Sequence, residues 1–227
     1  MKTMYKLMAG ALVALAVISC GQATKKQQEQ AAAEDQAVLE AEKIQKEKDL
    51  MAKIAELPAE PVFDMVTSCG TIRIKLYSNT PKHRENFAKL ALSGFYDGLL
   101  FHRVIKGFMI QGGDPLTRNP EMSAKFGTGG PGYTVPAELV AENTHKKGAL
   151  AAARRGDAAN PERASSGSQF YLVQDEMACA QLDGAYTVFG ETLSGLDVID
   201  KIAAVSTNER DCPLQPVKII SVKLVSE

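Results

Sequence analysis

The stretch GTIRIKLY, Gly70 to Tyr77, constrains the fold more than any other. Ile72, Ile74 and Leu76 fall on one side of an extended chain and Arg73 and Lys75 on the other, the two-residue period of a half-buried strand. The period returns near the C-terminus in VKIISVKLV, where Ile220, Val222 and Leu224 are expected to share one face. Two other segments read as helices. TPKHRENFAKLALSG places Thr80 as N-cap, Pro81 in the first turn and Gly94 beyond the end, and SGLDVIDKIAAV spaces Leu196, Ile199 and Ile202 along one face. Strands do not alternate regularly with helices, so an antiparallel barrel or sandwich is expected rather than a doubly wound sheet.

Two zones of different character precede this globular stretch. Residues 1–19 begin with Lys2 and Lys6 and continue into an apolar run from Leu7 to Ile18. That run is shorter than the ~20 residues a helix needs to cross a bilayer, which favours a cleaved export signal. Its ending, VISC, resembles a bacterial lipobox. The resemblance implies lipid on Cys20 and a membrane-tethered protein of the exported cell envelope or periplasm; an ordinary signal with an incidental cysteine is the alternative. Residues 20–57 are dominated by Ala, Glu, Lys and Gln and read as a charged, partly helical spacer. Ile44, Met51 and Ile54 hint at a stripe, but no heptad is sustained, so no coiled coil is expected. LPAEP then ends the helix, and residues 58–227 form the globular domain.

Charge and ligand-type residues exclude several classes. The 26 Lys and Arg nearly balance the 27 Asp and Glu, which leaves no basic excess for nucleic acid. The three histidines and four cysteines show no metal-ligand spacing. His83 and His145 read as surface residues. With Cys20 lipidated, Cys69, Cys179 and Cys212 remain; a Cys69–Cys212 pair is conceivable, and unpaired thiols are equally compatible.

The chemistry concentrates at FHRVIKGFMIQGGD, Phe101 to Asp114, where one arginine and one amide stand among apolar residues. This segment resembles the signature of the cyclophilin family of peptidyl-prolyl isomerases. GFYDGLLFHRV overlaps its start, and GGPGYTVPAE, GSQFYLV and LDGAYTVFG follow in the family's order, so the likeness runs from about Val62 to Val225. It implies a closed eight-stranded antiparallel barrel capped by two α-helices, acting as a monomeric domain on proline-containing polypeptides without cofactor or metal. By the same resemblance Arg103, Phe108 and Gln111 are the catalytic set, and Met109, Tyr171 and Leu182 line the proline pocket. Ala153, Arg154 and Gln169 would hold the residues flanking proline, and His102 would be structural. Tyr171 replaces the usual Phe, so its hydroxyl needs a partner or an exposed edge. Tyr186 replaces a pocket histidine, and Gln181 stands where many members carry Trp. The polar loops 116–126 and 155–166 read as solvated connections around the groove.

Such a site needs little reactive equipment. An X–Pro bond isomerises by rotating about a partial double bond over a barrier of ~18–20 kcal/mol, and no covalent bond forms or breaks. In the twisted transition state the prolyl nitrogen recovers its lone pair and accepts a hydrogen bond. A fixed guanidinium beside it stabilises that state more than either planar one. The alternative expectation is a proline-peptide binding or chaperone module with incidental turnover.

Overall fold

The computed structural model describes residues 30 and 36–225, so the expected leader and Cys20 lie outside the described residues. Among those described, no helix is long and apolar enough to cross a membrane. The chain divides into two compact units, Met1–Met51 and Ala52–Glu227. Residues 36–55 are helical. Within the first unit Val38, Leu39 and Ile44 are exposed, and Gln45 donates to Asp49 one turn on, at 2.8 Å. That stretch is sustained by propensity and local side-chain pairs rather than by a packed face.

The second unit is built on β1 (Val62–Thr67), β2 (Gly70–Leu76), β3 (Arg103–Ile105), β4 (Met109–Gly112), β5 (Thr134–Val135), β6 (Ala149–Ala152), β7 (Ser165–Ser166), β8 (Phe170–Val173), β9 (Val188–Ser194) and β10 (Ile219–Leu224). Eight of these form one sheet in the order β10-β1-β2-β9-β6-β8-β4-β3, while β5 pairs with β7 apart. Every pairing is antiparallel. The sheet curls but does not close as a ladder, which corrects the expected closed barrel. Its edges, β10 and β3, approach only through a Leu100–Lys218 bridge and flanking bonds such as Phe101 N to Val217 O at 2.9 Å. Beyond that point Val104 N donates to Asp211 O at 2.8 Å, so the loop leading to β10, rather than β10 itself, runs beside β3.

The alternation in β2 holds: Ile72, Ile74 and Leu76 are fully buried. In β10 the expected face is wrong. Ile219 and Val222 are buried, whereas Ile220 is 52% exposed and Leu224 37% exposed. The pairing passes from Val66↔Ser221 to Thr67↔Ile219, so an irregularity skips Ile220 and turns it outward.

Helix α1 (Pro81–Leu92) starts where proline fits the first turn, yet the Thr80 side chain makes no capping bond. Glu138 caps it instead, accepting from Lys82 N at 3.1 Å and His83 N at 2.9 Å. Gly94, at φ 72°, closes the other end, where Phe95 N reaches Leu90 O at 2.9 Å. Helix α2 (Leu196–Ala203) buries Val198, Ile199, Ile202 and Ala203, while Leu196 stays at the rim, 38% exposed. Phe87 of α1 centres the core, with ring centroids of Phe63, Tyr96, Phe170 and Phe189 at 6.0, 4.9, 5.8 and 5.8 Å. Cys69, Cys179 and Cys212 are free thiols, so the conceivable Cys69–Cys212 bridge is not formed.

Candidate active site

Strands β6 and β8 are buried along their whole length, so their alternating side chains serve two clusters. Leu150, Ala152, Phe170 and Leu172 enter the core around Phe87. Ala149, Ala151, Ala153, Tyr171 and Val173 turn the other way, onto a second cluster with Met109, Cys179 and Val188. A groove of about 630 Å³ opens over this second cluster. The β3–β4 hairpin supplies Arg103, Phe108, Met109 and Gln111 to its lining, and the end of β6 supplies Ala153 and Arg154. Tyr171, Leu182 and Tyr186 complete the expected set there; Gln169 alone stands outside it.

The hairpin fixes the chemistry. Arg103 faces Gln111 across the β3–β4 register. At the tip Gly107 adopts φ 77° and donates to Gln174 Oε1 at 2.6 Å. The Phe108 carbonyl accepts from Gln174 N and Asp175 N at 2.9 and 3.1 Å, which fixes the hydrophobic tip from behind. Arg103 Nε donates to Asp211 Oδ2 at 3.4 Å, with both side chains more than two-fifths exposed. That pair contributes little stability but aims the guanidinium. Asp211 sits at φ 59°, in a turn where Asn208 Oδ1 accepts from Arg210 N and Cys212 N at 2.9 and 3.1 Å.

Two of the residues expected to flank proline are already engaged by the protein. Gln111 Nε2 donates to Gln169 Oε1 at 2.9 Å, and Gln169 Nε2 donates to Gly127 O and Gly129 O at 3.0 and 2.7 Å. The N–H groups of those glycines are held in turn by buried Asp114, at 2.6 and 3.1 Å. Gln169 therefore has no free N–H and orients Gln111. Arg154 donates to Ala185 O, Arg155 O and Asp157 Oδ1, and its guanidinium lies 4.3 Å from the Tyr186 ring centroid. With 4% of its side chain exposed, Arg154 braces Tyr186.

The histidine reading is overturned at two positions. His83 and His145 are buried, not superficial. His83 Nδ1 meets Glu138 at 2.6 Å and Nε2 meets Ser165 Oγ at 2.9 Å. His145 Nδ1 meets Asp183 at 2.6 Å and Nε2 meets the Tyr171 hydroxyl at 2.7 Å. Burial outweighs the neighbouring carboxylates and lowers both imidazole pKa values. In each neutral ring Nδ1 carries the proton toward its carboxylate, and Nε2 accepts from a hydroxyl. The extra hydroxyl of Tyr171 thus has its partner on the side of His145, and burial raises its pKa. His102 lines the groove, and burial lowers its imidazole despite the opposing pull of Asp114. Burial likewise pushes the Cys179 thiol up to about 11, so it is not a thiolate near neutrality.

Sequence reading missed part of the wall. The loop 116–126 forms two 3-10 turns, Pro115–Arg118 and Pro120–Lys125, capped by Asp114 and Asn119. Its residues Ser123, Ala124 and Phe126 line the groove, and the later turn adds Asn208, Arg210 and Cys212. The Asp-Pro and Asn-Pro pairs before the two turns were the available signal.

A curled antiparallel sheet with an apolar groove, one aimed guanidinium and one oriented amide defines a class of site suited to non-covalent work on an extended polypeptide. The family described as cyclophilin type peptidyl-prolyl cis-trans isomerase/CLD matches residues 62–224. The chain belongs to this family and is an isomerase. A peptidyl-prolyl cis-trans isomerase of Acinetobacter baylyi is 38% identical over 178 residues, covering 74% of this chain and 87% of the relative. Peptidyl-prolyl cis-trans isomerase-like 2 of Rhizopus delemar is 36% identical over 167 residues, 70% of this chain but 28% of that larger protein. Among solved structures, a Cryptosporidium parvum cyclophilin-type isomerase, determined in the presence of the dipeptide Ala-Pro, superposes with a TM-score of 0.64. It is 27% identical, with 73% of this chain and 99% of that one covered.

Proposed function

We propose that this chain accelerates X–Pro rotation by donating a hydrogen bond from Arg103 to the prolyl nitrogen as the bond twists. Phe108, Met109, Tyr171, Leu182 and Tyr186 hold the proline ring, and Gln111 grips the adjacent backbone. One observation carries the reading: Arg103 and Gln111 share a register on the hairpin whose tip puts Phe108 in the same groove. The relative determined with Ala-Pro supports a proline-containing ligand. Nothing is deprotonated in this step, so the buried histidines act on shape alone. Loss of one aimed donor in a preorganised site costs about 10²–10³ in rate. Arg103→Ala should lower kcat/KM for an Ala-Pro peptide by that factor, read as cis/trans exchange by NMR, with the thermal midpoint little changed. Binding without faster exchange in the parent chain would instead favour a binding module.

The working place is the cell envelope, where uncatalysed isomerisation over ~10–100 s limits folding of exported chains. Cys20 would anchor the protein there through lipid. Incorporation of labelled palmitate that disappears in Cys20→Ala is the expected result; equal labelling of the variant would remove the anchor from this account.

A further inference from the structure

Charge along the groove has one sign. Arg103, Arg154 and Arg210 line it, an adjoining depression that shares Gly127 and Arg154 adds Arg155, and among the described residues no aspartate or glutamate lines either. The chain as a whole is nearly neutral, at −1. The four guanidiniums differ in how far they are engaged. Arg154 is held by Asp157 and two carbonyls, and Arg103 by Asp211. Arg210 is tied by Nη1 to Ser123 O at 3.2 Å, which joins the late turn to the 3-10 segment and pairs the cation with no carboxylate. Arg155 is exposed, and among the described residues its side chain has no hydrogen bond or ion pair. The acids of these loops do not offset the two open cations, Arg210 in the groove and Arg155 in the adjoining depression. Asp157 is turned to Arg154 and Arg163, Asp211 to Arg103, and exposed Glu121, Glu162 and Glu209 line neither cavity.

We infer that the groove selects X–Pro segments with Asp or Glu close to the proline, Arg210 and Arg155 meeting the acidic side chains. This substrate class rests on the isomerase reading above. A one-signed lining raises encounter rates with opposite charge and suppresses like charge, and both effects fade with salt. Two exposed ion pairs change kcat/KM by about three- to tenfold.

The test uses the full chain and three peptides, acetyl-Glu-Ala-Ala-Pro-Ala-Glu-amide and its Gln and Lys counterparts. NMR exchange rates are measured at ~0.01 M and ~1 M ionic strength, where the Debye lengths are ~30 and ~3 Å. The expected order at low salt is Glu, then Gln, then Lys, with convergence at high salt. The Glu-to-Lys ratio should also shrink in Arg155→Gln/Arg210→Gln. Equal turnover of the Glu and Lys peptides, or a ratio untouched by the double substitution, overturns the inference. If no peptide is accelerated, the isomerase reading fails instead. A chemical-shift titration then decides the charge preference, with equal Glu and Lys affinities overturning it.

Discussion

On one face of β6 and β8, Leu150, Phe170 and Leu172 meet an aromatic core; on the other, Ala149, Ala151, Ala153 and Tyr171 underlie a groove. The strands are the same and their residues are buried on both faces, yet residue size and polarity differ. Aromatic rings fill the first face so that nothing else fits. Alanines on the second leave depth, and polar contacts run behind it: Asp183 to His145 to Tyr171, and Asp114 through Gly127 and Gly129 to Gln169 and Gln111. The first face contributes stability, and the second arranges a site.

The sharpest way to separate the faces is Phe87→Ala. It removes the ring at the centre of the aromatic cluster, and urea unfolding should show a loss of about 3–5 kcal/mol. Folded molecules should keep the groove and its turnover. Tyr171→Phe probes the second face. It leaves the buried Nε2 of His145 without its donor, at a cost of about 1–3 kcal/mol. The ring itself is retained, so kcat/KM should change less than about twofold. A larger loss of activity than of stability would show that the hydroxyl contributes to the groove directly. Glu138→Gln weakens both the α1 cap and the His83 contact and should cost about 0.5–2 kcal/mol by denaturant melt, with the groove unaffected.

The smallest effect is on pH dependence. His83 and His145 have folded pKa values below the ordinary 6.5, so the unfolded chain binds protons first as pH falls. Their contribution is complete above 6.5 and is lost as pH drops from there through the folded values. Urea midpoints should therefore fall on acidification below that point. A midpoint that rises over this range would mean the carboxylates, not burial, dominate these rings.

Much of this was legible in the sequence. Ile72, Ile74 and Leu76 declared their strand by alternation. The motif order named the hairpin, Ala153, Arg154, Tyr171, Leu182 and Tyr186 but not the wall built by Ser123, Ala124, Phe126, Asn208, Arg210 and Cys212. What escaped depended on partners distant in the chain. His83 and His145 looked superficial because the carboxylates that permit their burial lie 55 and 38 residues away. The α1 cap came from Glu138 rather than adjacent Thr80 for the same reason. Ile220 faced outward because an irregular pairing shifts the period, which no alternation rule anticipates.

Arg103 lies on an edge strand, yet the loop carrying Asp211 already occupies the neighbouring Val104 N–H. An extended polypeptide entering the groove therefore meets an edge already partly covered, which restricts the zipping of strand to strand that gives long-lived peptide complexes. The hold rests on one apolar pocket and a few directed contacts. If the substrate is a long, folding chain, as proposed above, residence time becomes the governing quantity. Covering this edge favours release, which under the proposed mechanism would leave Arg103 free to meet the next proline.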